Sequence, residues 1–180
     1  LNFYAFYCAD ATYCKDVWSL LAYAADKTKR VRLGPNATHV ILREPALIAQ
    51  SLATLDELTN GRAEAVVSFG GPKLLGLHMV KWEGTRPVAR VKEALEVMRL
   101  FLDEGRLDFQ GDFFNYKGLS SAARPVQSHL PLKLAAHRGP RSMKIAGGIT
   151  DGLHMAFGCT DPVLSYVAEN IKVGAEQTGR

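Results

Sequence analysis

Asp10 and His39 each follow a run that reads as a β-strand, and both are residue types that can move a proton or hold a polar ligand. A carboxylate such as Asp10 can orient a ligand or tune a proton transfer, and it can also cap a helix as an Asx residue. An imidazole such as His39 exchanges a proton near neutral pH, although a loop histidine is often an ordinary surface residue. Two glycine turns, Gly70–Gly71 and Arg138–Gly139–Pro140, would let backbone N–H groups approach a phosphate, the second where a helix opens. Both also read as plain tight turns. Gly71–Gly76 has P-loop glycine spacing, but Leu77–His78 stands where Lys and Ser/Thr are required, so that motif is rejected. No H-x-x-x-H or C-x-x-C spacing points to a metal, and none is expected; Cys8-x5-Cys14 matches nothing specific. No G-x-S-x-G elbow points to a hydrolase. His78, His129 and His154 belong to no recognisable pattern.

The elements that must position these groups alternate. Strands are expected at Asn2–Cys8, Val31–Thr38, Ala63–Phe69, Leu130–Ala136 and Asp151–Phe157. Helices are expected at Asp16–Lys29, Glu44–Asn60, Arg86–Glu104, Gly139–Ala146 and Asp161–Gln177, the last capped by Thr160 or Asp161. The clearest is Arg86–Glu104, where Val88, Val91, Leu95, Met98 and Leu102 recur three and four apart. In the second helix Leu47, Ile48, Leu52, Leu55 and Leu58 are expected on one face. Leu107–Tyr116 reads as a β-hairpin around Gly111–Asp112. Alternating strands and helices imply a parallel β/α fold. A dinucleotide-binding sheet would show glycines after its first strand, but Ala9–Asp10–Ala11–Thr12 follows instead. A partial (β/α)8 barrel fits better, since a complete one takes about 250 residues and this chain has 180. In such a barrel the chemistry lies on loops after the strand C-termini. Those loops hold Asp10 and Thr12, then Asn36, Ala37, Thr38 and His39, then Ser68, Gly70 and Gly71, then Arg138, Gly139 and Pro140, and last Gly158.

Composition narrows the partners. The chain reads as one domain, residues 1–180, with a net charge of +4 spread along it rather than gathered in a basic stripe. That disfavours nucleic acid. No stretch reaches the roughly 18–20 apolar residues that a membrane span needs. Three cysteines without framework spacing fit a reducing cytoplasm. The expected partners are a small-molecule substrate and further copies of the chain.

The stretch Leu33–Gly34–Pro35–Asn36–Ala37–Thr38, then Arg43–Glu44–Pro45–Ala46, then ATLDELTNGR over 53–62, resembles the bacterial luciferase-like family of flavin and deazaflavin oxidoreductases. Arg86–Ala94, Phe109–Phe114 and Ala146–Gly147 followed by Thr150–Gly152 agree with it in order, and the subgroup resembles the coenzyme F420 branch near methylenetetrahydromethanopterin reductases. The resemblance implies a chain running from the second barrel strand to the sixth helix. It implies hydride transfer between F420 and an organic acceptor, with an FMN-dependent monooxygenase or a non-catalytic partial barrel as alternatives. It places the cofactor ring on a bulge with a non-prolyl cis peptide at Asn36–Ala37, and the cofactor tail at Ser68, Gly70, Gly71, Gly139 and Pro140. The family's acidic residue falls on Asp10. This sequence departs from the family at Ala11, where His often follows, and at Asn36, where Gly or Ser is usual.

Overall fold

The computed structural model describes residues 2–136, 139–155 and 158–180. The elements run β1 (Ala5–Cys8), α1 (Val17–Lys27), β2 (Arg32–His39), α2 (Pro45–Thr59), β3 (Ala65–Ser68), α3 (Pro72–Leu77) and α4 (Pro87–Glu104). There follow β4 (Arg106–Gln110), β5 (Asn115–Ser120), β6 (Leu132–Ala136), α5 (Pro140–Ile149), β7 (Gly152–Met155) and α6 (Asp161–Thr178). Five strands pair in parallel in the order β1-β2-β3-β6-β7, as half of a β/α barrel; β4 and β5 form a separate antiparallel pair. Ala5 pairs with Arg32, Ala65 with Leu132, and Lys133 with Gly152. Between Asn36 and Thr38 the β2–β3 register slips by a bulge, and the Asn36–Ala37 peptide is cis.

Alternation along the strands gives the sheet two different faces. Leu33, Ala65, Val67, Leu132 and Leu134 are buried with Leu21, Ile48, Leu52, Leu95 and Met98 from the helices, and form the core. The other face carries Tyr7, Arg32, Glu64 and Lys133. Glu64 is inaccessible, and it accepts from Arg32 Nε at 2.7 Å, from Lys133 Nζ at 2.8 Å and from the Tyr7 hydroxyl.

Local chemistry sets the element ends. Asp16 caps α1 by accepting from Ser19 N at 2.9 Å, and Glu44 caps α2 through Leu47 N at 3.0 Å. Asn60 ends α2 in the left-handed region and Gly105 ends α4 the same way. Three expectations change. Leu47 and Leu58 are 60% and 56% exposed, and the buried face of α2 instead combines Ile48, Leu52 and Leu55 with Ala46, Ala49 and Ala53. The alanines share the buried face, and Leu47 and Leu58 fall outside it. The short helix α3 was not anticipated, since its six residues PKLLGL are too few to show a period. The hairpin reaches further than expected, to Ser120, and its turn is held by Glu93, which accepts from Asp112, Phe113 and Phe114 N at 2.7–2.9 Å. Ala156 and Phe157, the expected end of the fifth parallel strand, lie outside the described residues.

The signature over 53–62 is structural. Asp56, fully buried, accepts from Ala63 N, Val126 N, Gln127 N and Gln127 Nε2 at 2.7–3.1 Å. Arg62 donates to the carbonyls of Thr28, Val31 and Thr59 at 2.7–2.9 Å, and so ties the end of α1 to the end of α2.

Helices α5 and α6 touch backbone to backbone. A Cβ on Gly174 would lie 2.0 Å from the Lys144 carbonyl oxygen, and one on Gly147 would lie 1.9 Å from that of Ile171. Gly174→Ala is therefore expected to force the helices apart and cost about 1–3 kcal/mol. Urea denaturation measures it, and an unchanged midpoint would show the contact to be slack. Among the described residues no helix is long and apolar enough to cross a membrane.

Candidate functional site at the strand C-terminal rim

All five parallel strands end at one rim, and most of the candidate residues meet there. Asp10 follows β1 and is almost buried. Its Oδ2 accepts from Thr38 Oγ1 at 2.7 Å and from Arg43 Nε at 2.7 Å, and its Oδ1 accepts from Arg43 Nη2 at 2.9 Å. It is not a helix cap; Asp16 fills that role. The turn after β2 brings Arg43 back, because Arg43 N donates to the His39 carbonyl at 2.9 Å. The His39 ring is half-buried, and its Nδ1 is inaccessible with no hydrogen-bond partner among the described residues. Burial pushes the imidazole below its ordinary titration range, while the Asp10 charge pushes the other way.

Asp10, His39 and Arg43 line a pocket of about 240 Å³ with Thr12, Leu42 and His78. His78 ends α3, and its Nε2 lies 3.1 Å from Thr12 Oγ1. Gly70 sits against His39, at φ +78°, with its N–H donating to Ser68 Oγ at 2.9 Å. Gly71 opens onto free space. On the barrel-interior side of the bulge the Asn36 amide lies 3.2 Å from His154 Nε2, and His154 meets the Tyr7 ring edge-on. Ala37 is half-buried on the bulge.

The remaining candidates stand apart. Gly139 caps α5 and Pro140 is its first residue; Gly158 is exposed ahead of α6. No hydrogen bond or ion pair among the described residues links these three to the Asp10 cluster. Arg138 lies outside the described residues. Arg43, His78 and His154 were not singled out as site residues, since their partners lie 33, 66 and 118 positions away. Arg43 alone carried a signal, as part of the Arg43–Ala46 motif. Among the described residues no group of His, Cys, Asp or Glu could hold a metal ion. A larger groove, about 1000 Å³, runs along the outer edge of β1 from Asn2 to Tyr7 and past Thr28–Arg32. Its lining includes Phe3, Tyr4, Phe6, Tyr7, Lys29 and Arg30, with no carboxylate or imidazole among the described residues.

A parallel β/α half-barrel with its polar cluster at the strand C-terminal rim defines a barrel-enzyme architecture. The family model described as luciferase-like monooxygenase matches residues 1–180, and the chain belongs to that family. It is 28% identical over 167 residues to the 5,10-methylenetetrahydromethanopterin reductase of Archaeoglobus fulgidus, covering 92% of this chain and 48% of that protein. It is 34% identical over 167 residues to the F420-dependent glucose-6-phosphate dehydrogenase of Kineococcus radiotolerans, covering 91% and 48%. The fold matches the F420-dependent tetrahydromethanopterin reductase of Methanopyrus kandleri with a TM-score of 0.86 at 24% identity, covering 97% of this chain and 53% of that one. It matches an F420-dependent secondary alcohol dehydrogenase, solved with an F420-acetone adduct, with a TM-score of 0.89 at 23% identity, covering 99% and 57%. The chain spans about half the length of the curated relatives it matches.

Proposed function

We propose that this chain forms the cofactor-binding half of an F420-linked oxidoreductase acting on a small organic acceptor. The observation that carries this reading is the clustering of Asp10, Thr38, His39 and Arg43 beside the β2 bulge, at the strand C-terminal rim. The relatives named for F420, at 28–34% identity, support the choice of cofactor. When bound, a deazaflavin supplies hydride chemistry, and the protein supplies position, desolvation and electrostatics. The rim suits such a group: the bulge presents backbone and one small side chain, the Gly71 backbone opens onto free space, and His39 Nδ1 has no hydrogen-bond partner among the described residues. Lys73 and Arg141 stand near the Gly71 and Gly139 turns as counter-charges for an anionic tail. The residues then divide the work. The bulge at 36–38 backs the ring, His39 meets the reacting edge, and Asp10 orients the groups around it.

A second reading, an FMN-dependent monooxygenase, is favoured by the family description. The two separate on binding and on oxygen, since a deazaflavin has carbon at the position where flavin has its oxygen-reactive nitrogen. Titration with coenzyme F420 and with FMN is expected to show tighter binding of F420 and no oxygen consumption. Ala37→Phe is expected to weaken F420 binding by about tenfold or more, which is about 1.4 kcal/mol, with the outer helices still folded by circular dichroism. Wild-type affinity in Ala37→Phe would remove the ring from the bulge, and preferential FMN binding with oxygen uptake would select the second reading.

A further inference from the structure

We propose that Arg43 is a positioning residue of this rim: its guanidinium clamps the Asp10 carboxylate against Thr38 and leaves the His39 imidazole as the group free to exchange a proton with the pocket's occupant. The proposal rests on the reading of this rim as the reacting end. The geometry is that of a fork. Arg43 Nε and Nη2 meet the two Asp10 oxygens at 2.7 and 2.9 Å, and Thr38 Oγ1 adds a third bond at 2.7 Å. A two-point guanidinium–carboxylate pair fixes orientation as well as charge, which an ammonium would not do. Three donors occupy most of the roughly four lone-pair sites of the Asp10 carboxylate and fix its plane.

The same turn sets both partners, since Arg43 N is bonded to the His39 carbonyl. Arg43 also reaches the Asp16 carboxylate at 3.5 Å, so the clamp ties the end of β1, the end of β2 and the start of α1. His39 is the contrast. Its Nδ1 is buried without a hydrogen-bond partner of good geometry among the described residues, an exception in folded proteins, and only the Asp10 backbone acts on the ring by hydrogen bonding from the protein side. Asp10 and Arg43 are the charged groups acting on it, with opposite sign, and His78 lines the same pocket. Burial is the leading influence on the imidazole, and Arg43 works with it against the Asp10 charge, so both favour the neutral ring.

The test needs no cofactor in its first arm. The His39 ring is titrated by NMR in the wild type, Arg43→Gln, Asp10→Asn and the double variant, with His39→Gln assigning the signal. Arg43→Gln is expected to move the His39 titration to higher pH, Asp10→Asn is not, and the double variant should lose the shift. Arg43→Lys, which keeps the charge without the fork, should fall between, and it serves if Arg43→Gln melts. In the second arm, F420-dependent turnover of Arg43→Gln is expected to fall in kcat by about tenfold or more. KM should change little, and the acid limb of the pH profile should follow the His39 titration. An unmoved His39 titration in both Arg43 variants overturns the positioning role. Absence of turnover in the wild type overturns the functional reading instead, and the NMR arm still decides the clamp.

Discussion

Asp56→Ala is expected to cost about 3–5 kcal/mol of folding stability, among the largest single losses in the molecule. The carboxylate is fully buried and satisfies three backbone N–H groups, of Ala63, Val126 and Gln127, together with the Gln127 side-chain amide. Its removal strands those donors and loosens Val126 and Gln127 from the end of α2. Asp56→Asn should lose less, since the amide oxygen still accepts while its NH2 faces donors. Urea denaturation of the three proteins measures the order. A loss below about 1 kcal/mol in Asp56→Ala would mean that the donors find water, and that the segment is held by something else. Cofactor affinity of the folded fraction should be unchanged, because Asp56 does not line the rim pocket.

Glu64→Leu is expected to be comparably damaging, at about 3–5 kcal/mol, because it leaves Arg32 and Lys133 facing each other without their shared anion. Glu64→Gln keeps the acceptor oxygen and should cost less. The same group sets an acid response. Burial alone would push the Glu64 carboxyl up, but hydrogen bonds from Lys133, Tyr7 and Arg32 prevail and hold it below its ordinary value of 4.5. A depressed native value means that the unfolded chain binds the proton more readily. The contribution is therefore complete above about pH 4.5 and is lost as pH falls through the lower native value. Once both are scaled to their neutral-pH stability, acid denaturation followed by circular dichroism should begin at a lower pH in Glu64→Gln than in the wild type, because the glutamine has no proton to take up. Superimposable scaled curves would remove Glu64 from the acid response.

Periodicity made α4 legible, because Val91, Leu95, Met98 and Leu102 are all buried along one stripe. It misled at Leu47 and Leu58, where alanines carry the packing and hydrophobicity alone points the wrong way. Strand order followed from the β/α alternation, since crossovers of this kind admit one handedness. The rim was legible as a list of loops, and Asp10, Thr38 and His39 do meet there. Their partners were not legible. Arg43, His78 and His154 join the rim only through folding, and nothing local marks an arginine as paired to a carboxylate 33 residues earlier. The most recognisable stretch, 53–62, turned out to hold backbone rather than ligand, with Asp56 and Arg62 as its working side chains.

The Glu64 cluster lies at the beginnings of the strands and the Asp10–His39 pocket at their ends. Glu64 and Ser68 are four residues apart on one extended segment, so about 13 Å separates the two levels. At that separation no hydrogen bond or ion pair is shared among the described residues: Glu64 is held by Arg32, Lys133 and Tyr7, and Asp10 by Thr38 and Arg43. A lineage can therefore exchange side chains at the rim to suit a new acceptor without removing a partner from the ion cluster that holds the sheet together, which makes this half-barrel an evolvable chassis.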